Sequence, residues 1–361
     1  MPKRLALAGG VFAILMACGW PAAATAADAS VIVRQAIDGF VRPAYATLAE
    51  KAGEAKTGIE ALCAAPSQEA LDAVRKEFAG LIDAWSSVEI IRFGPITEDN
   101  RLERMLYWPD RKSIGLKQVQ AALARKDQTA ADSKTLAGKS VAMQGLGALE
   151  FVLYGTGAEA LAGKDDPYRC AYAAAIAGNI KTISGAVAEA WAKPDGFAAL
   201  WANPGPDNPV YRNGAEAITE LVGVFINGLE LVRDQRLKSF LGAAPDADKP
   251  KSAVFWRSGL TGAALGANLD GMDGLFQASH IADALNPDSR WIAESIHIQL
   301  ANGAADGRAA SGPIDEVLAH PARRAKLDHF ALVTSSLSTL FGVRLSGEFG
   351  LSAGFSSLDG D

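Results

Sequence analysis

Three short segments carry the residues whose types and spacing could do chemistry. The first runs Arg92-Phe93-Gly94-Pro95-Ile96-Thr97-Glu98-Asp99-Asn100-Arg101, with Tyr107 and Trp108 close behind. Gly94-Pro95 stops a helix. The guanidinium groups of Arg92 and Arg101 can then hold acids or an anionic ligand through charge-assisted hydrogen bonds. A long surface loop with an Asx-type turn accounts for the same residues equally well. The second segment is Gln144-Gly145-Leu146-Gly147-Ala148-Leu149-Glu150. Two glycines inside a helical pattern each cost roughly 1 kcal/mol relative to alanine, so they signal close helix contact, a kink or a ligand touching backbone. Glu150 falls between Leu149 and Phe151, where a core is expected, and a carboxylate there must be paired or bound. Arg92 or Arg257 would serve as its partner in a buried salt bridge. The third segment is Glu294-Ser-Ile-His297. A Glu and a His three apart share one helix face, as in di-iron bundles, but such a site needs a second pair that is missing here.

The rest of the sequence narrows this chemistry. With 4 His and 3 Cys in 361 residues, any metal work must lean on carboxylates, which prefer hard cations such as oxidised iron. His280, His320 and His329 have no partner at zinc spacing. There is no His-Glu-x-x-His, no Cys-x-x-Cys, no Gly-x-Ser-x-Gly and no phosphate loop. A formal net charge of −6 leaves no basic excess for phosphate backbones, which argues against nucleic acid as a partner. At 49% hydrophobic and 21% charged the chain reads as a folded protein rather than a disordered or disulfide-dense one.

The first residues read as an export signal: Lys3 and Arg4, an apolar stretch over 5–16, then small residues over 22–27 for cleavage. A competing reading takes Leu15-Met16-Ala17-Cys18 as a lipobox, with Cys18 lipidated. Either way the expected location is outside the cytoplasm, in the periplasm, and no later segment reads as membrane-spanning. Cleavage at the small residues leaves Cys63 and Cys170, which in an oxidising compartment suggest one disulfide pinning two helices. Two buried free thiols are the other reading.

Helical periodicity supplies the elements that must position these segments. Apolar residues recur at three- and four-residue spacing over 29–61, where Pro43 should kink or split the helix. Ser67 is a plausible N-cap for the next helix. Further helical stretches cover 114–125, 133–153, 167–191, 211–241, 252–285, 290–302 and 314–342, and nothing alternates as a strand does. Prolines cluster over 194–209 and mark a connection. The expected fold is therefore all-α, two helical bundles side by side. The expected division is a signal over 1–27, one bundle over 28–194, a linker over 195–209 and a second bundle over 210–361. A faint echo between Arg92-x-Gly94 and Arg257-x-Gly259 is compatible with an internal duplication.

At these same segments the sequence resembles the imelysin-like family, also called the imelysin peptidase family, of exported bacterial iron-regulated proteins. The matching pieces are Ala84-Trp85, Ile91-Arg-Phe-Gly-Pro95, Glu98-Asp-Asn-Arg101, Trp108-Pro-Asp110, Ser140 through Glu150, Trp256-Arg-Ser258, Ala267-Asn268-Leu269 and the terminal Gly354-Phe-Ser-Ser-Leu-Asp-Gly-Asp361. The resemblance implies two bundle-like helical domains with a site between them. The family hallmark is Gly-x-His-x-x-Glu, and aligned on Gly145 and Glu150 this chain has Gly147 where the histidine belongs. Without that imidazole a glutamate alone supplies neither the ligand pair nor the base of a metallopeptidase. The expectation is therefore a binding protein for iron or haem, holding its ligand between Glu150, Arg92, Arg101, Arg257 and Asn268 with Trp85 and Trp108 as walls. Glu150 is the expected ligand to iron or another divalent metal. A metallopeptidase and an interaction protein with a cell-envelope partner are the alternatives.

Overall fold

The computed structural model describes residues 26–351, and all of the regular structure among them is helical. The export signal, Cys18 and the terminal 354–361 motif lie outside the described residues. Helix α1 (Ala26–Ala36) runs through a π turn over Ile37–Val41 into α2 (Arg42–Ala64). Pro43 sits in the first turn of α2, so the expected disruption takes the form of a widened turn next to the residue that lacks an N–H. Helix α3 (Gln68–Val88) starts where expected, with Ser67 Oγ accepting from the Ala70 N–H at 3.1 Å. Three short helices follow, α4 (Arg101–Met105), α5 (Ile114–Arg125) and α6 (Leu146–Tyr154), set among long loops. Helix α7 (Pro167–Ala192) completes the first bundle by packing along α2. Cys63 of α2 and Cys170 of α7 form a disulfide with Cα atoms 5.6 Å apart. A bridge across 107 residues of chain restricts the unfolded state, a contribution of roughly 4–5 kcal/mol in the chain-entropy account.

In the second half, α8 (Gly214–Glu230), α9 (Thr261–Ser279), α10 (Arg290–Ala309) and α11 (Pro321–Thr339) pack in turn, with α9 against α10 and α10 against α11. The halves share one continuous apolar core. Helix α1 lies against α8 and α9, and α3 also crosses α9. That crossing is close because Gly271 presents bare backbone: a Cβ there would come 2.0 Å from the Ser87 carbonyl oxygen.

Two departures from periodicity matter for function. The stretch 133–153 is not one helix but a turn of helix at Ser133–Leu136, a 3₁₀ turn at Val141–Met143 and then α6. Only 261–279 of the stretch 252–285 is α-helical, and 253–260 is a turn in which Phe255 and Gly259 take positive φ, 55° and 70°. Within 194–209, the residues Phe197–Ala202 form a short helix whose Trp201 packs with Phe93 and Trp191.

Candidate functional site

Gly145 stands just before α6, and the chain can pass there only without a side chain. A Cβ would meet the carbonyl oxygens of Arg104 and Met105 at 2.5 Å. The approach is fixed from the side by buried Gln144. Its Oε1 accepts from Arg104 Nε at 2.9 Å, and its Nε2 donates to the Lys139 carbonyl at 2.8 Å. The glycines expected in mid-helix are thus at a helix start, Gly145 just before the first turn and Gly147 within it. Gly147, in the first turn, differs from its neighbour: a Cβ there would touch nothing within 4 Å.

One turn on, Glu150 is 3% exposed. Its Oε1 accepts two hydrogen bonds from one residue of the 253–260 turn, the Ser258 N–H at 3.0 Å and the Ser258 hydroxyl at 2.8 Å. The preceding residue, Arg257, faces the carboxylate without forming a direct ion pair. Its Cζ lies 4.4 Å from the Trp256 ring centroid and 5.2 Å from that of Phe151. Burial raises the Glu150 carboxyl above its ordinary range, against the pull of the Ser258 hydrogen bonds, the Arg257 charge and a hydrogen bond from the Arg257 backbone. Burial likewise lowers the Arg257 guanidinium, while Glu150 holds it up.

Glu150, Gly147, Arg257 and Trp108 line one cavity of about 90 Å³, between α6 and the 253–260 turn. Trp108, Asp110, Trp256 and Arg257 continue from it into a wider space of about 480 Å³. Asp110 shapes this wall: its Oδ1 accepts from the Ile114 N–H at 2.7 Å and its Oδ2 from the Leu116 N–H at 3.1 Å, so both oxygens are committed to starting α5.

Of the side chains expected to share a ligand, the fold brings together Glu150, Arg257 and Trp108. Arg92 faces a separate hollow of about 280 Å³ beside Glu220 and Asn227. Arg101 turns back on its own loop, donating to the Pro95 carbonyl at 2.8 Å and to Glu98 at 2.9 Å. Trp85 is 1% exposed in the core. Asn268 donates to Glu89 at 2.8 Å and to the Ser86 carbonyl at 2.7 Å, in a buried network where Arg236 Nη2 reaches Glu89 at 2.6 Å. His297 pairs with Asp273, not with Glu294, at 2.8 and 3.0 Å. Ser258 is the residue that the reading of Glu150 omitted. Its place in Trp256-Arg-Ser258, just before a glycine, was the available signal.

Among the described residues no group of three or more His, Cys, Asp or Glu could hold a metal ion. At the cavity the carboxylates are Asp110, both of whose oxygens accept backbone N–H groups, and Glu150, beside a guanidinium. That set does not fit a resident bare cation. Among the described residues, no helix is long and apolar enough to cross a membrane.

The Imelysin family model matches residues 41–340, and the chain belongs to that family. An imelysin-like protein from Psychrobacter arcticum 273-4 has a similar fold, with a TM-score of 0.75 at 20% identity over 92% of this chain and 98% of that one. A protein from Parabacteroides distasonis ATCC 8503, described as a "putative iron-regulated protein A precursor", aligns with a TM-score of 0.72 at 13% identity, over 89% of this chain and 95% of that one. No curated protein matches the sequence.

Proposed function

We propose that this protein is a binding protein of bacterial iron acquisition, which takes iron as a cargo already held by an organic chelator into the cavity beside Glu150. The observation that carries the reading is Glu150 itself: a buried carboxylate held by hydrogen bonds from Ser258 and the Arg257 backbone, lining a cavity, with no ion pair to neutralise it. A group kept in that state costs stability unless something it binds repays the desolvation. The carboxylate suits a chelator's hydroxyl proton, and Arg257 suits the chelator's negative oxygens. The iron itself is suggested by the family and by the iron-regulated relative, not by the donor set. Gly147 in the hallmark histidine's place favours binding over catalysis, because the open space admits ligand where a base or metal ligand would stand.

Titration calorimetry of the purified protein with ferric citrate, ferrous ion and haem tests the reading. Micromolar binding of at least one, lost in Glu150→Gln, is the expected result. No binding tighter than millimolar for any of them would end it. Chelator-sensitive cleavage of a peptide library that depends on Glu150 would replace it with the peptidase reading.

A further inference from the structure

The wide space outside the Glu150 cavity has a charge pattern at odds with the chain as a whole. The protein carries a net charge of −6, yet five cationic side chains line this space: Arg111, Lys238, Lys249, Lys251 and Arg257. Its two acids are already engaged. Asp234 is bridged by Arg233 at 2.6 Å and by Lys238 at 2.6 Å, and both oxygens of Asp110 accept backbone N–H groups. Among the described residues, Arg111, Lys249, Lys251 and Arg257 therefore face this space with no carboxylate at ion-pair distance. Two of them are held in place by one aromatic ring: Lys251 Nζ lies 5.9 Å and Arg257 Cζ 4.4 Å from the Trp256 centroid. Trp108 also lines the space, with the Cζ of buried Arg236 6.0 Å from its ring centroid. At about 480 Å³ the space is large enough for a small organic molecule, within the roughly 300–1,000 Å³ usual for such sites.

We infer that this space is a polyanion subsite, and that the protein's ligand is a small molecule bearing two or more negatively charged oxygen groups, polycarboxylate or phosphate in kind. One anionic group would reach Arg257 at the boundary of the two spaces, and the others would lie between Lys249, Lys251 and Arg111. Four unpaired cations grouped on low-dielectric aromatic walls focus their field outward, which draws a multiply charged anion to a protein that otherwise repels it. A hydroxyl beside the anionic groups would then be presented to Glu150. The inference rests on the reading of the cleft as a binding site and names the class of molecule it takes.

The experiment uses the full purified protein and two metal-free probes, citrate and inorganic pyrophosphate, followed by calorimetry at low and high salt. Binding of one or both is expected, weakened about ten-fold in the Lys249→Ala/Lys251→Ala double variant. It should also weaken with salt, as an ionic site on an open surface must. The Lys249→Arg/Lys251→Arg variant should restore it, and Lys181→Ala/Lys193→Ala, which removes two cations outside the lining, should leave it within about two-fold. Citrate without pyrophosphate makes the ligand a polycarboxylate, the converse makes it a phosphate, and either supports the subsite. Binding of neither probe, or equal loss in both alanine pairs, overturns it. If ferric citrate, ferrous ion or haem still bound in a Glu150-dependent way, the iron reading would survive that result. If the probes bound through Lys249 and Lys251 while iron added nothing, the subsite would stand and the iron reading would fall.

Discussion

Glu89 and Glu150 are both buried glutamates, 2% and 3% exposed, and the fold treats them in opposite ways. Glu89 closes α3, and both of its oxygens are spoken for. Oε2 takes Arg236 at 2.6 Å and Oε1 takes Asn268 at 2.8 Å, each partner coming from the other half of the chain. Its charge is cancelled inside the protein. Glu150 has hydrogen bonds from the turn alone, from Ser258 and the Arg257 backbone, while the Arg257 guanidinium is turned onto the faces of Trp256 and Phe151 and forms no ion pair with it. A buried carboxylate that is fully partnered ties structure together, while one left half-partnered at the edge of a cavity is available to a ligand.

The comparison breaks most visibly if Glu89 loses its cation. Arg236→Met keeps the volume and the stack beneath Trp108 but leaves the Glu89 charge uncompensated. The expected loss is about 3–5 kcal/mol of unfolding free energy, read from urea denaturation. A loss under about 1 kcal/mol would mean that Glu89 is neutral or solvated, and the contrast with Glu150 would collapse.

The glycines leading to Glu150 give a smaller effect with a sign change. Gly145→Ala drives a methyl into two carbonyl oxygens of the preceding segment, and such overpacking costs about 1–3 kcal/mol. Gly147→Ala meets open space in the first turn of α6 and should gain up to about 1 kcal/mol from helix propensity, while narrowing the cavity and weakening ligand. Thermal melts of the two variants side by side separate a glycine required by packing from a glycine left open for something to enter.

These residues also show what the sequence could and could not say. The helices with strong apolar spacing appear with nearly the expected bounds, such as α5 and α7, and Ser67 caps α3, because local propensity and core burial agree there. Glu150 stood out because an acid in an apolar run has to be answered by something. Its answer, Ser258, lies 108 residues away. It sits in a turn held by positive φ at Phe255, a bulky residue that local rules place in a helix or strand. Periodicity therefore read 252–285 as continuous helix and hid the turn that makes half the site. Arg92 was singled out as a guanidinium beside a helix stop and Asn268 through the family resemblance, and such signals mark a structural network as readily as a ligand site. Only the three-dimensional neighbours separate the two. The Lys249 and Lys251 pair carried no signal, since exposed lysines are common and only the fold brings them to one space with Arg111 and Arg257.

The smallest expected effect is also the sharpest for function. Glu150→Gln keeps an oxygen to accept from Ser258 and removes the buried charge. Burial raises the folded-state pKa of Glu150 above its unfolded value. The protonated form is thus the one the fold prefers, and its share of stability is intact at acid pH and lost as pH rises through the raised value. The variant should match the parent at acid pH and exceed it at neutral pH, with the pH dependence of denaturation correspondingly flatter. A Glu89→Gln variant should do the reverse and lose stability at neutral pH, because Arg236 would then be the uncompensated charge. If Glu150→Gln instead destabilised the protein at neutral pH, the carboxylate would be serving the fold as Glu89 does. A more stable Glu150→Gln that no longer binds ligand would show that the charge is kept at a cost to the fold and in the service of the site.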